Sequence, residues 1–421
     1  VHVDTGDTAW VLGSAALVLF MTPGLALFYG GMIRAKNVLA MLIANFGTIA
    51  AVSVVWAVVA YSIAFGPDTG HKGLLGTLHL AGLGHAHEQV PGFQLTVPPL
   101  AFAAFQMMFA VITAALLTGT VAERTKFGAF LLFAVLWTVV VYAPIAHWVF
   151  SPTGWLAKRG VLDYAGGNVV EINSGASALG LALVVGRRRG WPRDVIAPHS
   201  LPLTMMGAGV LWFGWFGFNA GSALASGDLA AQALIGTQLA ACAGLAAWCL
   251  IEKWRTGHAT TLGAASGAVA GLVAITPAAG FVNSMAAILI GFAGGAIAVV
   301  AVTVKFKGGY DDALDVVGVH GAAGLVGTLL VGLFASRTVN PGIRYNGLVD
   351  GGGLHLLGAQ ALAVIVTVGW AFTMTWLVAT AVQRTVGLRA PEAHEVEGLD
   401  TALHAEAAYD FGNVRATRIG P

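Results

Sequence analysis

The sequence predicts an all-α polytopic membrane protein of eleven transmembrane helices, built as an inverted five-helix pseudo-repeat plus a final helix. Three observations lead there. Of the 421 residues, 57% are hydrophobic and only 10% charged, where a soluble domain carries about 25% charged residues; mean hydropathy is +0.79. About eleven apolar stretches are long enough to span a bilayer. The segments joining them alternate between rich and poor in basic residues. A net charge of +1 argues against a nucleic-acid partner.

The spans run near 8–33, 38–65, 98–122, 127–150, 168–186, 198–221, 229–251, 258–276, 282–304, 314–335 and 353–383. The 57 glycines suit close helix packing in lipid. Arg34 and Lys36 follow the first span, Arg124 and Lys126 the third, and Arg187, Arg188, Arg189 and Arg193 the fifth. Lys253 and Arg255 follow the seventh, and Lys305 and Lys307 the ninth. The other connections hold only Lys72, Lys158, Arg159, Arg337 and Arg344. Twelve basic residues against five place the first set in the cytoplasm, the N-terminus outside and the C-terminus inside. Residues 1–383 then form the transmembrane domain, with halves at about 8–186 and 198–335, and 384–421 a cytoplasmic tail. The chain opens at Val1 without Met, which a cleaved signal peptide or trimming both explain.

The loop 66–97 carries His71, His79, His85 and His87. Their spacing fits no standard ligand set, so it reads as a solvated loop rather than a metal site. Cys242 and Cys249 lie seven apart in one span, about 10 Å along a helix, too far to bridge. The tail is rich in acid (Glu392, Glu395, Glu397, Asp400, Glu406, Asp410) and reads as solvated, with docking or regulation as the alternative.

Ten of the eleven spans divide into two sets of five, and an odd number of spans inverts the second. Asp163 then opens a helix at the outer face and Asp312 one at the inner face. Eight residues after each come Glu171 and His320. Eight helical residues rise about 12 Å, and half a hydrocarbon core is about 15 Å, so an acid and a base reach one depth near the midplane. Every other acidic residue lies in a loop, near a span end or in the tail, and no other histidine is well inside a span. Ionisable groups in lipid cost at least a few kcal/mol and mark function by default; the alternative is a polar pair that glues two helices. Asp163 is either a helix cap or a cap that also supports a cationic substrate, and Asp315 reads as structural. Phe102, Phe105 and Phe109 share one helix face, and the run 214–222 is dense in aromatics. Such rings are either core or cation-binding faces.

The runs FYGGMIRAKNVL (28–39), GWFGFNAGSA (214–223), AGLVAITPAAG (270–280), DVVGVHGAAGLVGT (315–328) and VGLRAPEAHEVEGLD (386–400) closely resemble the ammonium transporter family (Amt/Mep/Rh). The resemblance implies a homotrimer in the plasma membrane with one pore per subunit, carrying ammonium or ammonia (and its analogue methylammonium), with no cofactor. It implies that Phe109 and Phe218 form a ring gate, that Phe105 and Trp215 line an outer vestibule, and that Ser222 offers it an oxygen. Asp163 would be the essential acid near the outer site, and His320 the second of two facing pore histidines. Two positions depart from the pattern. GGNVVEIN (166–173) puts Glu171 at the first histidine position, as in some fungal members. YAPIAHWVF (142–150) puts Phe150 at the vestibule tryptophan position, with Trp148 about 200° away around the helix. Phenylalanine is the weaker cation partner, so looser outer binding is expected.

The functional reading is an ammonium transporter that deprotonates its substrate and relays the proton through Glu171 and His320. Deprotonation rejects potassium, which is similar in size and has no proton to lose. The alternatives are an ammonium sensor in the same fold, signalling through its cytoplasmic face to a PII-type protein, and a neutral gas channel of the Rh type. No nucleophile triad, phosphate loop or metal cluster argues for an enzyme.

Overall fold

The computed structural model describes residues 3–68, 70, 72–85, 87–194 and 197–409. Val1, His71 and Asp410 lie outside the described residues. The described chain is helical, with isolated bridges (Asp68 with Gly76, Thr125 with Arg389) in place of strands.

Among the described residues, ten helices are long and apolar enough to cross a membrane. They are α1 (Thr5–Met32), α2 (Ala35–Phe65), α3 (Pro99–Thr120), α4 (Phe127–Phe150), α5 (Gly167–Val185), α6 (Leu201–Gly221), α7 (Asp228–Thr256), α9 (Ser284–Gly308), α10 (Val317–Phe334) and α11 (His355–Thr385), with the shorter α8 (Thr261–Ile275) between α7 and α9. Their ends follow local chemistry. Asp4 caps α1, Ser200 α6, Thr260 α8 and Asn283 α9, each accepting a first-turn amide. Proline stands in the first turn of α3 and α6, where its missing N–H costs nothing.

One of the expected spans is shorter than the rest. The eighth stretch, 258–276, is a helix of 15 residues, about 22 Å long, short of a full hydrocarbon core. Pro277 stops its continuation. It is buried from Ala265 to Ile275 between α7 and α9, so it does not need to match the lipid. Elsewhere the exposed side chains are apolar, such as Phe46, Val54, Leu250, Leu289 and Ile365, as a surface facing hydrocarbon requires. α1 and α6 pack together along their length.

One end of the bundle is tied by buried ions. Glu123 accepts hydrogen bonds from Arg34 Nε at 2.8 Å, Asn37 Nδ2 at 2.9 Å and Arg188 Nη1 at 3.4 Å. Asp311 accepts three from Arg188, at 2.7, 2.9 and 2.8 Å. Burial pushes both carboxyls up, but their arginine partners outweigh it, and both end below the usual carboxylate range. Stability from such groups is fully present above their unfolded pKa of about 4 and is lost as pH falls through the lower folded value. Asp311→Ala strands Arg188 and should cost about 3–5 kcal/mol. Thermal unfolding of purified protein at neutral pH should show it as a lowered midpoint, with the gap to the parent narrowing in acid.

The tail is only partly solvated: Glu392, Glu397 and Glu406 are exposed as expected, but Glu395 and Asp400 are buried. It forms α12 (Glu392–Glu397) and α13 (Leu399–His404) against this same end. Asp400 accepts from the amides of Leu39 (3.0 Å) and Ala40 (2.8 Å), so a residue 360 positions away caps the regular α-helix Val38–Val55 within α2. Arg389 pairs with Glu395 at 2.7 Å and donates to the Val185 carbonyl at the end of α5. Cys242 and Cys249 are both free thiols.

Candidate functional site

The site is assembled from two helix starts. Asp163 accepts four backbone N–H groups, from Gly166 (2.9 Å), Gly167 (2.5 Å), Asn168 (2.7 Å) and Val169 (3.2 Å). These are the unpaired amides of the first turn of α5, so one carboxylate satisfies them all. Burial pushes the Asp163 carboxyl above the usual range, and the four amides pull it part of the way back. Asp312 acts likewise on α10, accepting from Val317 N at 2.7 Å and from Thr120 Oγ1 at 3.0 Å. Each aspartate thus binds the amide five residues on, at the same distance. Both helices then open in a wide π turn, Gly167–Ile172 and Val317–Ala322. Those turns hold Glu171 and His320.

The two side chains meet. Glu171 Oε2 lies 2.7 Å from His320 Nδ1, with the residues 1% and 4% exposed. Glycines make the approach possible. A Cβ on Gly175 would collide with Gly321, and one on Gly324 would lie 2.7 Å from the Cβ of Glu171. A side chain at Gly175 or Gly324 would drive α5 and α10 apart, while one at Gly321 would lie 3.2 Å from the Gly175 Cα.

The pair lines a cavity otherwise walled by apolar groups, among them Phe28, Ile112, Leu116, Val170 and Leu211. Phe218 closes it, stacked on Phe109 with centroids 4.2 Å apart and planes at 15°. On the other side of these rings is a vestibule lined by Asp163, Phe150, Ser222, Phe102 and Gln106. Phe150 stands edge-on to Phe109 at 6.2 Å. Ser222 Oγ donates to the Phe218 carbonyl at 2.8 Å, which leaves its lone pairs for a cation. Trp148 is turned away: its Nε1 donates to the Leu74 carbonyl and its ring packs on Trp370.

Two residues expected in the vestibule lie elsewhere. Phe105 is fully buried, edge-on to Phe109 at 4.9 Å, and does not line the vestibule cavity. Trp215 lines the cavity of the Glu171–His320 pair, with its Nε1 donating to Thr276 Oγ1 at 2.8 Å. Helical spacing gives the shared face but not which side of the gate it serves. Gln106 went unremarked in the sequence, although it is the one amide in the run 98–112; its Oε1 is buried without a protein partner beside the vestibule.

A further cavity, lined by Tyr29, Trp248, Glu252, Asp315 and His320, lies on the far side of the pair. His320 therefore borders both cavities. Asp315, beside Lys305 Nζ at 2.6 Å, is pushed up to about 6 by burial, with Lys305 opposing the shift.

The arrangement is a vestibule with polar groups, a stacked ring pair, an apolar chamber with one acid–base pair, and a further cavity beyond it. Over residues 9–409 the chain matches the Ammonium Transporter Family. It belongs to that family. An ammonium transporter of Mycobacterium tuberculosis is 47% identical over 444 residues, covering 99% of this chain and 93% of that one. One from Bacillus subtilis is 47% identical, covering 97% and 99%. Among solved structures, Candida albicans Mep2 superposes with a TM-score of 0.87 at 35% identity, covering 93% of this chain and 88% of its own. A protein described as a sensor Amt protein gives 0.86 at 30% identity, covering 94% and 98%. As an ammonium transporter family member with ten long apolar helices, the chain is a multi-pass membrane protein.

Proposed function

We propose that this chain carries ammonium nitrogen across a membrane. Ammonium is taken at the vestibule by Asp163, Phe150 and Ser222, gives up a proton, and crosses the apolar chamber as ammonia while Glu171 and His320 relay the proton. The observation that carries this reading is the 2.7 Å contact between Glu171 and His320 in the chamber that Phe218 closes. A bare cation in such a chamber meets a large desolvation cost, and neutral ammonia does not. Potassium cannot shed charge, so the same chamber rejects it. The bias of twelve basic residues to five supports a cytoplasmic tail and an outward-facing vestibule. The matching aspartate bonds at Asn168 and Val317 support an inverted repeat, with the short α8 counted as the eighth of eleven crossings. The family resemblance further suggests a homotrimer and a PII-type partner at the docked tail. Catalysis has no part in this reading.

A second reading, an ammonium sensor, draws on the likeness to the sensor Amt protein and on a tail that ties the starts and ends of pore helices together. Purified protein in a supported membrane separates the readings. A transporter gives current with ammonium, a smaller one with methylammonium and none with potassium. Ammonium binding without current favours the sensor, and uptake without current favours a neutral gas channel.

A further inference from the structure

The connection from α2 to α3 folds two of its histidines onto one carboxylate. The short turn Leu78–Leu83 presents His79. Left-handed backbone at Gly82 (φ +68) and Leu83 (φ +55) then reverses the chain. That reversal lays the His85 ring over the His79 ring, with centroids 4.3 Å apart and planes at 18°. Both rings aim a nitrogen at Glu88: His79 Nε2 lies 2.9 Å from Oε2, and His85 Nδ1 lies 3.0 Å from Oε1. The three ligand-type atoms all lie within 4.8 Å of one another.

This cluster is not needed to hold the fold. Its side chains are 40%, 54% and 57% exposed, so water would satisfy each of them separately. Their convergence is the observation to explain. A divalent cation accounts for this convergence: it would take the lone pair of each facing imidazole nitrogen and bind the carboxylate, at the point where the three groups aim.

We propose that His79, His85 and Glu88 form a binding site for a borderline divalent metal ion of the zinc class. His79 ligates through Nε2, His85 through Nδ1 and Glu88 through one carboxylate oxygen, with water in the fourth position. Bonds of about 2.0–2.2 Å to a tetrahedral ion put ligand atoms roughly 3.3 Å apart, which small side-chain rotations reach from the present positions. Two neutral nitrogens and a single carboxylate select zinc-like ions over calcium or magnesium, which need more oxygens. The sequence spacing of six and then three residues belongs to no helical metal motif. Only the left-handed reversal at Gly82 and Leu83 creates the set. Ten residues beyond Leu83 the same loop supplies Phe93, which packs on Phe65 and Phe102 at the vestibule wall. A bound ion would therefore pin a loop that ends at the vestibule.

The test uses full-length protein freed of any affinity tag and stripped with chelator. Zinc is titrated against a chromophoric chelator, with calcium as the control cation. The expected result is one zinc per chain with a dissociation constant of about 1 μM or tighter, unaffected by calcium. His79→Gln, His85→Gln and Glu88→Gln should each weaken binding by about tenfold or more, whereas His258→Gln, on an exposed connection elsewhere, should leave it unchanged. Because the three residues are exposed, the metal-free variants should unfold at the parent's temperature, and only the parent should gain thermal stability with zinc. No zinc bound under these conditions, or undiminished binding in the His79→Gln/His85→Gln double variant, overturns the proposal.

Discussion

Asp163→Ala is expected to abolish ammonium current and to destabilise the protein by about 3–5 kcal/mol. That figure combines the loss of a helix cap, about 1–2 kcal/mol, with buried amides left unsatisfied at about 1–3 kcal/mol each, less the share that water entering the vestibule recovers. The amides at stake are those of Gly166, Gly167, Asn168 and Val169, all bound to this one carboxylate. The same turn sets the position of Glu171, so its loss also displaces the pair. Structure and substrate roles are separated by Asp163→Asn. Asparagine keeps one acceptor oxygen and the shape but lacks the charge, so about half the cap survives. If the carboxylate also draws a cation through the vestibule it lines, Asp163→Asn loses at least about tenfold in current while its unfolding temperature stays closer to the parent than that of Asp163→Ala. Currents that track stability across both variants would reduce Asp163 to a cap.

The parts of this molecule that a reader of the sequence can find are those set by composition and local spacing. The apolar runs gave the helix bounds to within a few residues, because lipid forces length and hydrophobicity together. The eight-residue step from Asp163 to Glu171, and from Asp312 to His320, marked the pair before any coordinate did, since an ionisable group in an apolar run has few explanations. What stayed hidden depends on distant residues. The glycine approach of α5 to α10 is invisible without knowing that Gly175 faces Gly321. Asp400 could be seen as acidic tail, but not as the cap of a helix 360 residues earlier. The turn of Trp215 into the inner chamber follows from its bond to Thr276 on another element. Glu88 drew no notice in the sequence, because only the folded loop brings it to His79 and His85.

Glu171→Gln should lower the ammonium current by about a hundredfold or more, the usual loss when a positioned proton acceptor is removed, while leaving the fold intact. Glutamine is isosteric, can still hydrogen-bond His320 Nδ1, and keeps the contact with Gly324. Charge counting explains why the acid should matter. An apolar chamber favours a pair with no net charge. For Glu and His, the uncharged state already holds one transferable proton, shared between carboxylate and imidazole. For two histidines, or for Gln and His, the uncharged state holds no proton beyond the two neutral side chains. On the proposed reading Glu171 would store a proton in the chamber, and the glutamine variant would empty that store. Glu171→His should restore a relay that must take on net positive charge to load, so its current should persist but move to lower pH than the parent's. Recording current against pH for the three proteins in one lipid composition checks both points. Parent-level current through Glu171→Gln, at parent-level ammonium uptake, would show that the proton travels by another route and leave Glu171 as a helix-pairing group.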